Sequence, residues 1–189
     1  MNLICFDLEG PLAPQDNAYE LMKLFPNGGK IFEVISRYDD LLTLEGRPDY
    51  EPGDTLALIT PFLAYHGVKE SDIATMGQKA SLVPGAYELL SKLKSRRWHV
   101  FCISTSYEQY ALPITQKLGI PDENVACTSF PLNQIYQMLS PDDFALLEQA
   151  EREIVNLSPF VDDTEIKESL DNFYWRELPQ TSSGKIISQ

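Results

Sequence analysis

Three short apolar runs limit what this chain can fold into. They are residues 2–7 (NLICFD), 98–104 (WHVFCIS) and 124–130 (NVACTSF). Each is too brief for a core helix and too uniformly apolar for a half-exposed strand, so each predicts a strand buried on both faces. Before the second run, Pro84-Gly85 opens a stretch that puts Ala86, Leu89, Leu90 and Leu93 on one helical face, and the basic KSRR (94–97) closes it. Between the second and third runs, Tyr107, Tyr110, Ala111, Ile114 and Leu118 repeat at helical spacing up to Gly119, with Pro113 inside. Strand, helix, strand, helix, strand predicts an α/β fold built on a parallel sheet.

From residue 15 to 80 there is no strand pattern. Asp16 is placed to cap a helix bearing Tyr19, Leu21, Met22 and Phe25, which PNGG (26–29) stops. A second helix is predicted from Lys30 to about Leu44, closed by Gly46. Asp54 is the expected N-cap for TLALITPFLAYHG, and Ser71 for a short helix to about Ala80. The expected layout is thus a core from 1–14 and 81–135, with a helical insertion at 15–80. Residues 136–189 are expected to be a second helical insertion plus the start of a further core strand. There Ser140-Pro141-Asp142-Asp143 starts a helix to about Leu157, and SGKIIS (183–188) reads as a strand.

The chain has 189 residues and a net charge of −13. That charge repels nucleic acid and anionic membrane surfaces, so neither is an expected partner. No apolar run has the length of a membrane span, and no basic-then-apolar leader opens the sequence. Cys5, Cys102 and Cys127 each lie in a strand-like run and match no metal spacing, as expected of small buried thiols in a reducing cytoplasm.

The first run ends on Asp7, and Glu9, Gly10 and Pro11 follow. Ligands of parallel sheets bind at the carboxyl ends of strands. A carboxylate there can attack phosphorus and form an aspartyl-phosphate, and an acid two residues on can move protons. Gly10 permits the sharp turn. Mg²⁺, which prefers oxygen ligands, would neutralise the crowded charge. The second run ends on Ser104-Thr105-Ser106, hydroxyls ahead of a helix N-terminus, which suits phosphate. The plainer readings are an acidic strand-end turn and a simple helix cap.

Together these features resemble the haloacid-dehalogenase-like (HAD) phosphatases. ICFDLEGPL is similar to their first motif, and LVPGAYELLSKLKSRRWHVFCIS to the segment entering their second. The resemblance implies a Rossmannoid parallel sheet with an inserted helical cap, as in the phosphoserine-phosphatase-like branch. It implies Mg²⁺-dependent hydrolysis of a small phosphorylated substrate. Asp7 would be the nucleophile, Glu9 the general acid and base, and Ser104, Thr105 and Gly10 the phosphate-binding residues. Asp7 and the Glu9 backbone carbonyl would hold the metal, with Asp162 or Asp163 as a third ligand. Within the insertion Glu20, Arg37 and Arg47 are candidates to reach a substrate; ordinary surface charge is the alternative. Pro11 stands where Thr or Ser is usual. No Lys occurs between Lys117, which falls too early for the family's third motif, and Lys167, which leaves Lys185 or no residue here for that role. A catalytically silent or incomplete relative with a binding or regulatory role is therefore the second expectation.

Overall fold

The computed structural model describes residues 2–48, 50–51, 54–157, 162–181 and 184. In chain order its strands are β1 (Asn2–Asp7), β2 (Trp98–Tyr107) and β3 (Val125–Thr128). Its α-helices are α1 (Asn17–Met22), α2 (Gly28–Glu45), α3 (Thr55–Tyr65), α4 (Glu70–Lys79), α5 (Ala86–Ser95), α6 (Glu108–Lys117), α7 (Leu132–Met138), α8 (Pro141–Asn156) and α9 (Asp163–Asn172). The chain divides into two units, residues 1–17 with 70–130 and residues 18–69 with 131–189. The α/β class expected from the alternation of patterns is the class observed.

In the first unit the three strands pair in parallel in the order β1-β2-β3. Register runs from Asn2 opposite Trp98 to Asp7 opposite Ile103. Residues opposite one another in a parallel pair share a face. Val100 and Cys102 are buried, with Ile4 and Phe6 half-buried beside them. On the opposite face Leu3, Cys5 and Ile103 are exposed and Phe101 is half-buried. The expectation of strands buried on both faces therefore fails. An apolar run reports that a strand can be buried, and the helices of this unit cover one side only. β2 also runs three residues beyond Ser104, to Tyr107, where α6 begins. Pro113 is absorbed within α6.

The α4 helix belongs to this unit rather than to the helical insertion. A Cβ built on Gly77 would stand 2.5 Å from the Tyr110 carbonyl oxygen, so the backbones of α4 and α6 nearly touch. Lys117 Nζ then donates to the Gly77 and Ala80 carbonyls at 3.3 and 3.0 Å, closing the C-terminal end of α4. α4 starts at Glu70, one residue before the expected Ser71 cap.

The second unit is helical. α2 buries Ile31, Val34, Ile35, Tyr38 and Leu42 along one stripe, and α3 is buried from Leu58 to Ala64. Gly46 ends α2 in the left-handed conformation (φ 64°), as its type suggests. Asp54 sits at the α3 cap position, but its carboxylate accepts from the Glu51 amide at 3.1 Å and makes no cap bond. α8 opens with a complete capping box between Ser140 and Asp143. Residues 131–181 are not a separate body, because α9 and the turns after it pack on α2 and α3. Tyr38 donates to Asp171, Trp175 Nε1 donates to Tyr38 Oη at 2.7 Å, and Tyr174 Oη donates to the Leu58 carbonyl at 2.7 Å. The predicted strand at 183–188 and Lys185 lie outside the described residues, apart from Gly184. Among the described residues no helix is long and apolar enough to cross a membrane.

Gly77→Ala should test the contact between α4 and α6. Overpacking at a backbone–backbone contact is expected to lower unfolding free energy by about 1–3 kcal/mol in chemical denaturation. An unchanged midpoint would mean that the helices stand further apart.

Candidate functional site

β1 delivers Asp7 to the carboxyl end of the sheet, and the next six residues close into a tight loop. Leu8 turns inward and is fully buried, and its carbonyl accepts from the amides of Leu12 at 3.1 Å and Ala13 at 2.9 Å. The Gly10 amide donates to the Ala13 carbonyl at 2.8 Å. Gly10 has φ +90°, with nothing within 4 Å of an added Cβ, so backbone conformation and not space requires glycine here. The Leu12 carbonyl accepts from the Val83 amide at 2.9 Å, which fastens the loop to the segment leading into α5.

Asp7 is exposed, and its carboxylate accepts from the Leu8 amide at 2.7 Å. Glu9 is half-buried. One carboxylate oxygen accepts from the Asn17 amide at 3.1 Å, and the other from the Ser106 hydroxyl at 2.5 Å. Burial raises the Glu9 pKa above the ordinary glutamate value. The Ser106 and Asn17 hydrogen bonds pull it down, and the charges of Asp16 and Asp7 push it up. The net direction is upward, so desolvation outweighs the two donors.

The Ser106 hydroxyl reaches Glu9 because β2 is irregular at its end. Ile103 pairs with Ala126 and Tyr107 with Thr128, so four steps along β2 match two along β3. The two extra residues form a bulge, a device that re-aims side chains. Within it the Ser104 hydroxyl accepts from the Ser106 amide at 3.0 Å, and the Thr105 carbonyl accepts from the Thr128 hydroxyl at 2.7 Å. Ser106 is fully buried. Sequence reasoning took the three residues as a phosphate-binding or capping run and did not connect Ser106 to Glu9. Strand alternation gives no signal for it, because the consecutive Ser106 and Tyr107 are both buried. No side chain caps α6, whose N-cap is Tyr107.

Asp7, Glu9 and Ser104 thus belong to one end of one unit, with Thr105 exposed beside them. The Gly10 amide, expected on phosphate, is occupied by Ala13. Asp162 caps α9 by accepting from the Thr164 amide at 2.8 Å, and Asp163 accepts from Arg37 at 2.9 and 2.7 Å. Both therefore have structural partners within the helical unit. The same holds for the three candidates of the insertion. Arg37 holds Asp163, Arg47 holds Asp171 at 3.0 Å and lies over the Trp175 ring, and Glu20 pairs with Lys23 at 2.7 Å. Among the described residues no three His, Cys, Asp or Glu side chains converge as a metal-binding group. Asp7 and the Glu9 carbonyl are hard oxygen donors of the kind Mg²⁺ takes.

Asn17 adds a feature that the sequence did not signal. Its side chain is fully buried, and neither its amide nitrogen nor its oxygen has a protein partner. Buried polar atoms are ordinarily hydrogen-bonded, so an orphaned donor and acceptor on the residue whose backbone holds Glu9 suit a polar ligand or water.

Removing the Ser106 hydroxyl takes away a donor that lowers the Glu9 pKa. Ser106→Ala should therefore move the Glu9 titration further up in carboxyl-carbon NMR. A folded-state pKa above the unfolded value means that Glu9's share of stability is full below the ordinary glutamate value. That share is lost as pH rises through the raised value. The variant should shift this loss to higher pH, whereas a downward or absent shift would deny the contact.

No protein-family model matches the chain, and no curated protein matches it. Among solved structures it is similar to gene product AF1437 of Archaeoglobus fulgidus, with 30% sequence identity and a TM-score of 0.81. The match covers 99% of this chain and 56% of that one, so this chain spans a little over half of the archaeal protein's length.

Proposed function

We propose that this chain is a Mg²⁺-dependent phosphomonoester hydrolase of the haloacid-dehalogenase-like type, acting on a small phosphorylated metabolite in the cytoplasm. One observation carries the reading. An exposed carboxylate, Asp7, ends a parallel strand, and two residues later a second carboxylate with a raised pKa is held by a hydroxyl from the neighbouring strand end.

The chemistry divides between the two acids. An Asp7 oxygen attacks phosphorus and the bond from phosphorus to the substrate oxygen breaks, leaving an aspartyl-phosphate. Glu9, protonated to higher pH than an ordinary glutamate, gives its proton to the departing alkoxide. A water then attacks phosphorus and loses a proton to Glu9. The bond from phosphorus to Asp7 breaks, releasing inorganic phosphate and restoring both groups. The Ser104 hydroxyl accepts from the Ser106 amide and keeps its own proton to donate to a phosphoryl oxygen. Mg²⁺ held by Asp7 and the Glu9 carbonyl would supply charge neutralisation.

A second reading is a silent or incomplete relative that binds a ligand without turnover. It is favoured by two of the four lysines of the first unit, Lys94 and Lys117. Lys117 is fixed on Gly77 and Ala80, and Lys94 donates to the Leu118 and Gly119 carbonyls at 2.9 and 2.5 Å, so neither ammonium serves phosphate.

Hydrolysis of p-nitrophenyl phosphate with Mg²⁺ separates the two. The first reading expects metal-dependent turnover that Asp7→Asn reduces to background and Glu9→Gln lowers roughly 10²–10⁴-fold. Turnover unchanged in Asp7→Asn would reject it. No turnover in folded protein, with phosphate binding that survives Asp7→Asn, would select the second.

A further inference from the structure

We infer that Asn17 is a positioning residue for Glu9, and that it acts with one buried water bound across its side-chain carboxamide. Two observations meet at this residue. Its backbone amide is one of the two donors on the Glu9 carboxylate, 3.1 Å from Oε2. Its side chain is fully buried, and neither Nδ2 nor Oδ1 has a protein partner among the described residues. The inference does not depend on phosphatase activity. For that reading it adds a residue that controls the proposed proton donor.

Neither of the two plain uses of an asparagine explains this one. Packing does not, because Leu has nearly the same shape and no polar atom to desolvate. Capping does not, because an asparagine at a helix start ordinarily accepts from a first-turn amide, and Oδ1 accepts from none. Burying an amide with both ends unmet costs free energy at each end. The chemistry of the two atoms selects the guest. Nδ2 donates and Oδ1 accepts, side by side. An anion would satisfy Nδ2 and be repelled by Oδ1, and a cation would do the reverse. A water satisfies both, donating to Oδ1 and accepting from Nδ2. A fully buried position also suits a guest of that size and no larger one.

The consequence falls on Glu9. A carboxamide held by the water fixes the start of α1, so the amide of the same residue stays on Oε2, while the Ser106 hydroxyl holds the other oxygen at 2.5 Å. These two donors lower the proton affinity of Glu9, against burial and against the charges of Asp16 and Asp7, which raise it. Loosening the Asn17 amide removes part of the lowering side and moves the balance further up.

Nuclear magnetic resonance of the folded chain tests both halves without substrate. The Asn17 side-chain amide protons should show cross-relaxation with a long-lived water. Asn17→Leu should abolish that signal, lower the midpoint of chemical denaturation, and move the Glu9 titration up by roughly half a pH unit. A purely structural asparagine would leave the Glu9 titration where it is. Absence of the water signal in the unsubstituted chain would overturn the inference even if the Leu variant failed to fold. So would a Leu variant that is more stable than the parent, or one in which Glu9 titrates unchanged. Because no step here needs turnover, the outcome is read separately from the hydrolysis of p-nitrophenyl phosphate, and either can fail without the other.

Discussion

The parallel pairing of β1 with β2 is the contact on which the rest of the first unit depends. It joins residues 2–7 to residues 98–103 across a segment of ninety residues. Closing so long a loop costs about 4 kcal/mol of chain entropy beyond a constant. The return is a sheet end where Asp7, Glu9 and the hydroxyls of residues 104–106 meet. Glu9 and the Ser106 hydroxyl that it accepts from lie 97 residues apart in sequence. Everything chemical in the candidate site follows from that register, since a slip of one residue would turn Asp7 to the other face.

At that sheet end the decisive balance is around Glu9. Burial favours its neutral form, while the Ser106 hydroxyl and the Asn17 amide favour the charged form, and burial prevails. A carboxyl held in this way keeps its proton to higher pH than an ordinary glutamate. Two acids two residues apart thus stand in different surroundings, Asp7 exposed and Glu9 half-buried, and the proposed division into nucleophile and proton donor rests on that difference. The Ser106 hydroxyl reaches Glu9 from the irregular end of β2.

Much of this was legible in the residues, and the part that was not has physical reasons. The alternation of apolar runs with helical patterns indicated the parallel sheet, because periodicity is local. Gly46 and the Ser140 capping box marked helix ends for the same reason. Burial of β1 was misjudged because an apolar side chain states a preference, while its cover depends on topology. The allegiance of α4 depends on Gly77 meeting the Tyr110 backbone, a contact thirty-three residues away that leaves no trace in local pattern. In the sequence Arg37 and Arg47 are candidates to reach a substrate, with ordinary surface charge as the alternative. Their partners, Asp163 and Asp171, lie more than a hundred residues along the chain. Asn17 gave no signal at all, because an orphaned amide is a property of packing.

The most direct test of the account is to catch the covalent intermediate. The chain would be mixed with Mg²⁺ and acetyl phosphate, quenched in acid and fragmented for mass spectrometry. The account predicts one added phosphoryl group, located on Asp7 and absent from Asp7→Asn. A phosphoryl group on any other residue, or turnover with Asp7 never modified, would contradict it.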